Sequence, residues 1–272
     1  MKKAVRPIVV ILITILLFAV VLFPFYVIII TSTYNTQSMY KAVTLLPGPD
    51  FLYNFELAWA GGRLPRFIFN SLYVGILKAA LTCIVCLMCG YGLEKYNFRG
   101  KKFLFAFIVF TLMIPTTLGM VALVYELRIF GWVNTHLPLI MVGVGSPFAA
   151  FWFKQTAENV PNELLESARI DGSGEFNTFF KIGIPIMRPA IATIALITFI
   201  GSWNDFVLPS IVLNSTDLFT IPVGMTVVNA LYRVEHAPKI LVIVIGILPI
   251  IALFIACSKQ VIRGLTAGSV KG

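Results

Sequence analysis

The sequence predicts an all-α membrane protein with six transmembrane helices and both termini on the cytoplasmic side. Three observations carry that reading. Of 272 residues, 58% are hydrophobic and only 12% are charged, whereas soluble domains hold about 25% charged residues. Uncharged apolar runs recur that supply the roughly 20 helical residues needed to cross a ~30 Å hydrocarbon core. Lys and Arg, 21 in all, divide unevenly between alternate loops, and positive residues stay on the cytoplasmic side. The same composition excludes a soluble globule and a disordered chain.

The first span is expected at 7–30, a run without charge. Lys2, Lys3 and Arg6 precede it as in a secretory signal, but the run is longer than a signal core and no small-residue cleavage site follows, so it reads as a retained span. The second span, 68–92, carries Lys78, and the fifth, 189–213, carries Asp205. The third (103–125), fourth (131–153) and sixth (240–258) hold no Asp, Glu, Lys or Arg. One transmembrane domain, 1–272, is expected to contain all six, with a long loop, 154–188, between the fourth and the fifth.

Orientation follows from the loops. With both termini on one side, that side holds Lys2, Lys3, Arg6, Lys95, Arg99, Lys101, Lys102, Lys154, Arg169, Lys181, Arg188, Lys259, Arg263 and Lys271, fourteen residues. The other side holds six: Lys41, Arg63, Arg66, Arg128, Arg233 and Lys239. The first side is therefore expected to be cytoplasmic. In a soluble chain the net charge of +9 would raise nucleic acid as a partner, but no stretch interleaves basic and aromatic residues over a docking surface. No nucleic-acid partner is expected; the lipid bilayer is.

No chemistry of bond breaking is legible. The sequence has no G-x-x-x-x-G-K-[ST] loop, since Arg99-Gly100-Lys101-Lys102 lacks the first Gly and the Ser/Thr. His136 and His236 stand alone, outside any H-E-x-x-H, and there is no G-x-S-x-G elbow. Cys83, Cys86 and Cys89 recur three apart inside the second span with Cys257 near the end of the sixth, a spacing that spreads thiols over a helix face in hydrocarbon and suits packing better than metal. Neither a cofactor nor a metal is expected, and the Gly264–Gly268 spacing falls in the polar tail, outside any helix pairing in the bilayer.

The 154–188 loop is the informative segment, because a connection of that length is usually functional. Leu164, Leu165 and Ala168 mark one apolar face at helical spacing, and Phe176, Phe179 and Phe180 mark another, with Asp171-Gly172 between them as a break. Two short amphipathic helices joined at Gly172 are expected. From Glu158 to Glu175 the acids Glu158, Glu163, Glu166, Asp171 and Glu175 are opposed only by Arg169, so anionic lipid repels this stretch and a protein partner fits it better.

The run Glu166-Ser167-Ala168, Gly172, Ile182, then Ile184-Pro185 resembles the EAA loop of ABC importer permeases in spacing throughout, with Ser167 for the central Ala and Ile184 for Leu. Nearly the whole chain resembles the sugar-uptake, maltose-type permease family. The matching pieces are Asn70-Ser71-Leu72, Gly90-Tyr91 leading to Phe98-Arg99-Gly100, Gly131 to His136, Ala168 to Gly172, Gly201 to Phe206, Ile221-Pro222-Val223-Gly224, and the ending Gly264 to Gly268 with Lys271-Gly272. Residues 235–239 depart from the pattern.

The resemblance implies type I ABC importer permease architecture with a cytoplasmic coupling-helix loop. Its implied partners are a second, homologous permease forming a heterodimer, two ATP-binding subunits, and an extracytoplasmic sugar-binding protein. Coupling to the ATPase would fall to Glu166, Ser167, Ala168, Asp171, Gly172, Ile182 and Pro185, with Glu166 making polar contact and Gly172 allowing the turn. The outer loop ahead of the sixth span would reach the binding protein through Asn214, Ser215, Thr216 and Asp217. Charges inside spans often mark a pathway, which nominates Lys78 and Asp205, with Trp203 and Asn204 beside the latter, for the translocation path. A secondary transporter driven by an ion gradient is the competing reading, and it has only Asp205 to bind an ion inside the spans.

Overall fold

The computed structural model describes residues 2–40, 45–61 and 63–267, and among them every regular element is helical. Of the residues invoked above, Lys41, Gly268, Lys271 and Gly272 lie outside the described set. The chain divides into two compact units, Met1–Pro65 with Gly224–Pro249, and Arg66–Val223 with Ile250–Gly272.

In the first unit, α1 (Lys2–Thr31) is apolar almost all round and its side chains from Val9 onward are largely exposed, the pattern of a helix whose surface belongs to lipid or to a partner. It ends in Thr31, Ser32 and Thr33, whose hydroxyls donate to the carbonyls of Val27, Ile29 and Ile30. Short helices α2 (Thr36–Met39) and α3 (Phe51–Glu56) follow. Buried Asn54 ties α3 to the end of α1 by donating to Ser32 O and Tyr34 O, both at 2.9 Å.

The second unit is organised around α4 (Leu64–Lys95), which runs without a break through the expected second span. The expected third span is interrupted: α5 (Lys101–Thr111) stops, a 3₁₀ turn covers Thr116–Gly119, and α6 (Met120–Ile129) resumes. Pro115 is the cause, because it has no N–H to donate and its ring crowds the carbonyl four residues back at Thr111. The expected fourth span is also two pieces, α7 (Leu137–Met141) and α8 (Pro147–Ala157). Gly131, Asn134 and Gly143 there hold positive φ, and Ser146 starts α8 by accepting from Ala149 N at 3.3 Å ahead of Pro147.

After α9 (Asn162–Ile170) and α10 (Glu175–Thr178), the chain widens into a π turn, Phe179–Gly183, and continues as α11 (Ile184–Trp203). The wide turn sits where Pro185 removes a regular helix hydrogen bond. The second amphipathic helix expected after Gly172 is therefore the start of a long apolar helix, 175–203, and not a separate element. The expected fifth span breaks at Asn204 and Asp205 before α12 (Val207–Val212). Helices α13 (Ile221–Leu231) and α14 (Ala237–Ala267) complete the chain. Among the described residues, four helices are long and apolar enough to cross a membrane: Val9–Thr31, Leu64–Lys95, Glu175–Trp203 and Ala237–Ser258.

Two apolar clusters hold the second unit. One joins Cys86, Leu87 and Tyr91 of α4 to Ala149, Ala150 and Phe153 of α8 and to Leu165, Phe179, Met187 and Ile194. The helices meet closely because their contacts are small: a Cβ on Gly90 would lie 2.7 Å from Phe153 Cβ, the approach that small residues permit between membrane helices. The other cluster gathers Val74, Leu127, Leu139, Ile140, Leu208 and Val212. Cys83 and Cys86 are packing residues of the first, with Cys86 Sγ against Val144 O at 3.2 Å.

Candidate functional site

The 158–185 loop is held from below and open above. Leu165, the inward residue of α9, is 3% exposed and packs in the first cluster. At the end of α9, Ser173 N donates to Ala168 O at 2.9 Å and Gly172 N to Arg169 O at 3.0 Å, the paired bonds of a Schellman cap. That cap needs a left-handed residue, and Gly172 supplies it with φ +75°. A Cβ there would meet nothing within 4 Å, so the demand for glycine is conformational and not steric.

Charges lock the turn from the side. Arg169 donates to Glu175 in bidentate fashion, Nε to Oε1 at 2.7 Å and Nη2 to Oε2 at 3.2 Å, and the pairing holds the guanidinium further above its ordinary pKa. Tyr96 OH donates to the same carboxylate at 2.6 Å. Burial and that bond push the Tyr96 phenol up to about 12. Lys95 Nζ donates to Val160 O at 2.6 Å and to Asn162 Oδ1 at 3.0 Å, fastening the segment that opens α9. Lys154 bridges Glu94 at 3.0 Å and Glu158 at 2.6 Å. Burial opposes its charge, yet the two carboxylates prevail and raise its pKa.

What stays outward is mixed in character. Glu163, Glu166 and Asp171 are exposed, and with Arg169 engaged by Glu175 they dominate the charge of the face. Leu164, Ile170 and Phe176 are exposed among them, Ile170 by 87%. Beside this face lies a cleft of about 240 Å³ lined by Met88, Tyr91, Gly92, Tyr96, Glu175, Phe176 and Phe179. Acid and apolar groups presented together on a short anchored helix can bind a complementary protein groove and offer no nucleophile or general base in a closed site.

The motif residues separate by role. Ser167 is exposed, and its hydroxyl donates to Glu163 O at 2.8 Å, which satisfies the group that replaces alanine. Ala168 and Pro185 are half-buried, and Ile182 is half-buried against the first cluster. Phe179 is buried while Phe180 and Phe176 are exposed, so the phenylalanine face divides between core and surface. The sequence by itself gives Tyr96, Lys95, Lys154 and Glu175 no individual part. Their partners lie up to 79 positions away, and no spacing rule reaches that far.

A second constellation forms at the 213–221 loop. Asn134 Oδ1 accepts from Asn214 N at 3.0 Å and Ser215 N at 2.9 Å. Asn70 Nδ2 donates to Asp217 O at 2.8 Å and Phe219 O at 2.9 Å, Arg66 Nε to Asp217 O at 3.0 Å, and Ser71 Oγ accepts from Ile221 N at 2.8 Å. His136 Nε2 meets Leu218 O at 2.8 Å. Side chains therefore grip the loop by its backbone, leaving Asn214, Thr216 and Asp217 exposed and Ser215 half-exposed. In the sequence, Asn70-Ser71 and Asn134 to His136 are matching stretches without a task; their convergence on one loop is visible only in three dimensions.

The charges inside the expected spans come together as well. Lys78 on α4 is half-buried and feels the charge of Asp205. Asp205 Oδ1 also accepts from Leu208 N at 3.4 Å, capping the entrance to α12. Trp203 is 3% exposed and stacks on Phe199 with ring centroids 5.4 Å apart, while Asn204 is exposed. Of the four, Trp203 is a buried packing residue, Asn204 and Asp205 form the break between α11 and α12, and Lys78 lies on the unbroken α4.

Among the described residues the chain is helical, with breaks inside the expected spans, an anchored acidic helix on one loop and a second loop gripped by its backbone, an arrangement suited to a membrane component that docks other proteins. Residues 84–266 match the family of binding-protein-dependent transport system inner membrane components, and the chain belongs to that family. It is 35% identical over 244 residues to the arabinooligosaccharides transport system permease protein AraQ of Halalkalibacterium halodurans, covering 88% of this chain and 86% of that protein. It is 30% identical over 250 residues to the lactose transport system permease protein LacG of Rhizobium radiobacter, covering 92% and 91%. A chain from the crystal structure of a bacterial ABC transporter involved in the import of the acidic polysaccharide alginate shares the fold, with a TM-score of 0.82 at 18% identity over 95% of this chain and 97% of that one. Family membership sets aside the ion-gradient alternative.

Proposed function

We propose that this chain is one of two permease subunits of an ATP-driven type I importer that moves a sugar or oligosaccharide across the prokaryotic cytoplasmic membrane. The observation that carries the reading is the exposed acidic helix α9, closed by Gly172 at EAA-loop spacing, in a chain of the binding-protein-dependent family. Two ATP-binding subunits supply hydrolysis, and Glu166 on α9 makes the polar contact through which their closure moves the membrane helices. The cargo class follows the relatives named for arabinooligosaccharide and lactose transport. The exposed side chains of Asn214, Thr216 and Asp217 face the loaded binding protein, and Lys78, Asn204 and Asp205 line the path.

Six crossings are counted by taking α5 with α6, α7 with α8, and α11 with α12 as single crossings of the bilayer. The excess of Lys and Arg supports cytoplasmic termini and a cytoplasmic 158–185 loop. A second, homologous permease pairs with this chain to complete the pore.

The test is purification of the assembled complex, with subunit stoichiometry, ATP hydrolysis stimulated by loaded binding protein, and mass spectrometry of the compound that binding protein retains. Glu166→Ala removes a charge-assisted contact, about 1.5–3 kcal/mol, and is expected to weaken ATPase association roughly 10- to 100-fold. Wild-type association in that variant, or gradient-driven transport by this chain alone, would sink the reading.

A further inference from the structure

Helix α4 is the one uninterrupted helix among the described residues whose side chains hold both loops. Near its first end, Arg66, Asn70 and Ser71 grip the backbone of Asp217, Phe219 and Ile221. Asn70 and Ser71 are buried, 1% and 2% exposed. At its last residue, Lys95 grips Val160 and Asn162. The next residue, Tyr96, holds Glu175, which in turn clips Arg169 across the Gly172 turn. Tyr91 adds an aromatic contact to Phe179, with centroids 4.8 Å apart.

From Arg66 to Lys95 an α-helix is about 44 Å long at ~1.5 Å per residue, longer than the ~30 Å hydrocarbon core. The neighbouring segments are broken: at Pro115, between Met141 and Pro147, and, near its far end, the helix from 175 at Asn204 and Asp205. A broken helix absorbs a displacement at its hinge; an unbroken one carries it from end to end. Helices α11 and α12 join the same two loops through the chain, but that path is interrupted at Asn204 and Asp205.

We propose that α4 is the link through which docking of the loaded binding protein at the 213–221 loop is signalled to the ATPase at the 158–185 loop, with Asn70 and Tyr96 as its two positioning residues. This rests on the function proposed above. Neither residue touches cargo or nucleotide; each acts by placing a loop.

The test uses the complete complex in nanodiscs with saturating loaded binding protein. Basal hydrolysis, stimulated hydrolysis, binding-protein affinity and subunit stoichiometry are measured for Asn70→Ala, Tyr96→Phe, the double variant, and Val85→Ala on the exposed side of α4. Both single variants are expected to keep basal hydrolysis and stoichiometry and to lose at least threefold in stimulation, and the double variant to lose no more than the worse single. Effects at sites this far apart otherwise combine independently, so multiplied losses would overturn the link. Wild-type stimulation in the singles, or an equal loss in Val85→Ala, would overturn it too. Ser71→Ala, with the same expectation, replaces Asn70→Ala if that variant fails to assemble. If the wild-type complex itself is not stimulated, it is the function that fails, and the link with it.

Discussion

Gly172 offers a perturbation whose cost is set by the backbone alone. Its φ of +75° lies where a β-carbon costs roughly 1–2 kcal/mol. A Cβ built there meets nothing within 4 Å, so no packing term adds to that figure. The two cap bonds from Ser173 N and Gly172 N contribute about 0.5–1.5 kcal/mol each, so the strain is of their size. Gly172→Ala should therefore shift the turn away from its native geometry by a factor of roughly 5 to 30. Gly172→Val should be worse, because a β-branched residue at positive φ is an outlier. Asn is the informative third variant, since it tolerates the left-handed region several-fold better than other residues, and Gly172→Asn should recover most of the loss. All three should insert and pair with the second permease proposed above. Binding-protein-stimulated ATP hydrolysis in purified complexes is the assay, expected to fall in the order glycine, asparagine, alanine, valine. Wild-type hydrolysis in Gly172→Val, or equal loss in Gly172→Asn and Gly172→Val, would refute the conformational argument; the latter would mean that the partner surface excludes any side chain.

Two further outcomes follow from the same geometry. Single cysteines at Asn214 and Gly174, in a background lacking the four native ones, should differ in intact cells: an impermeant thiol reagent added outside labels the first and not the second, and labelling at Gly174 would reverse the orientation. Lys78→Ala and Asp205→Asn should each lower assembled complex and transport, because each removes a half-buried charge inside the expected spans that the opposite charge of the other favours. The amide in Asp205→Asn keeps an acceptor for Leu208 N, so the loss reads charge and not capping, and the double variant should recover part of it; independent addition of the two losses would dissolve the pair.

Much of this protein was legible from local rules. Apolar runs located α1, α4 and α14 because a helix in lipid satisfies its own backbone and needs only apolar side chains outward, a property each segment carries alone; the helix from 175 to 203 overlaps the expected fifth span, 189–213, only in part. Asp171-Gly172 announced the turn, since left-handed backbone is a demand that a single residue answers. The acidic face with Glu166 was visible for the same reason. Local rules misjudged continuity at Pro115, at Gly143 and at Asp205, where apolar composition persists while the hydrogen-bond ladder stops.

What only the tertiary structure decided is which distant residues meet. Glu175 was an acid among acids until Tyr96 and Arg169 closed on it. Asn70, Asn134 and His136 were family matches without a task until the fold placed all three on the backbone of one loop. Lys78 and Asp205, 127 positions apart, were two separate anomalies until a helix break on one element faced the other. Composition and periodicity act through neighbours along the chain, and so they reveal helices and turns. Pairing energies depend on distance in space, which the chain sets only once the helices have packed.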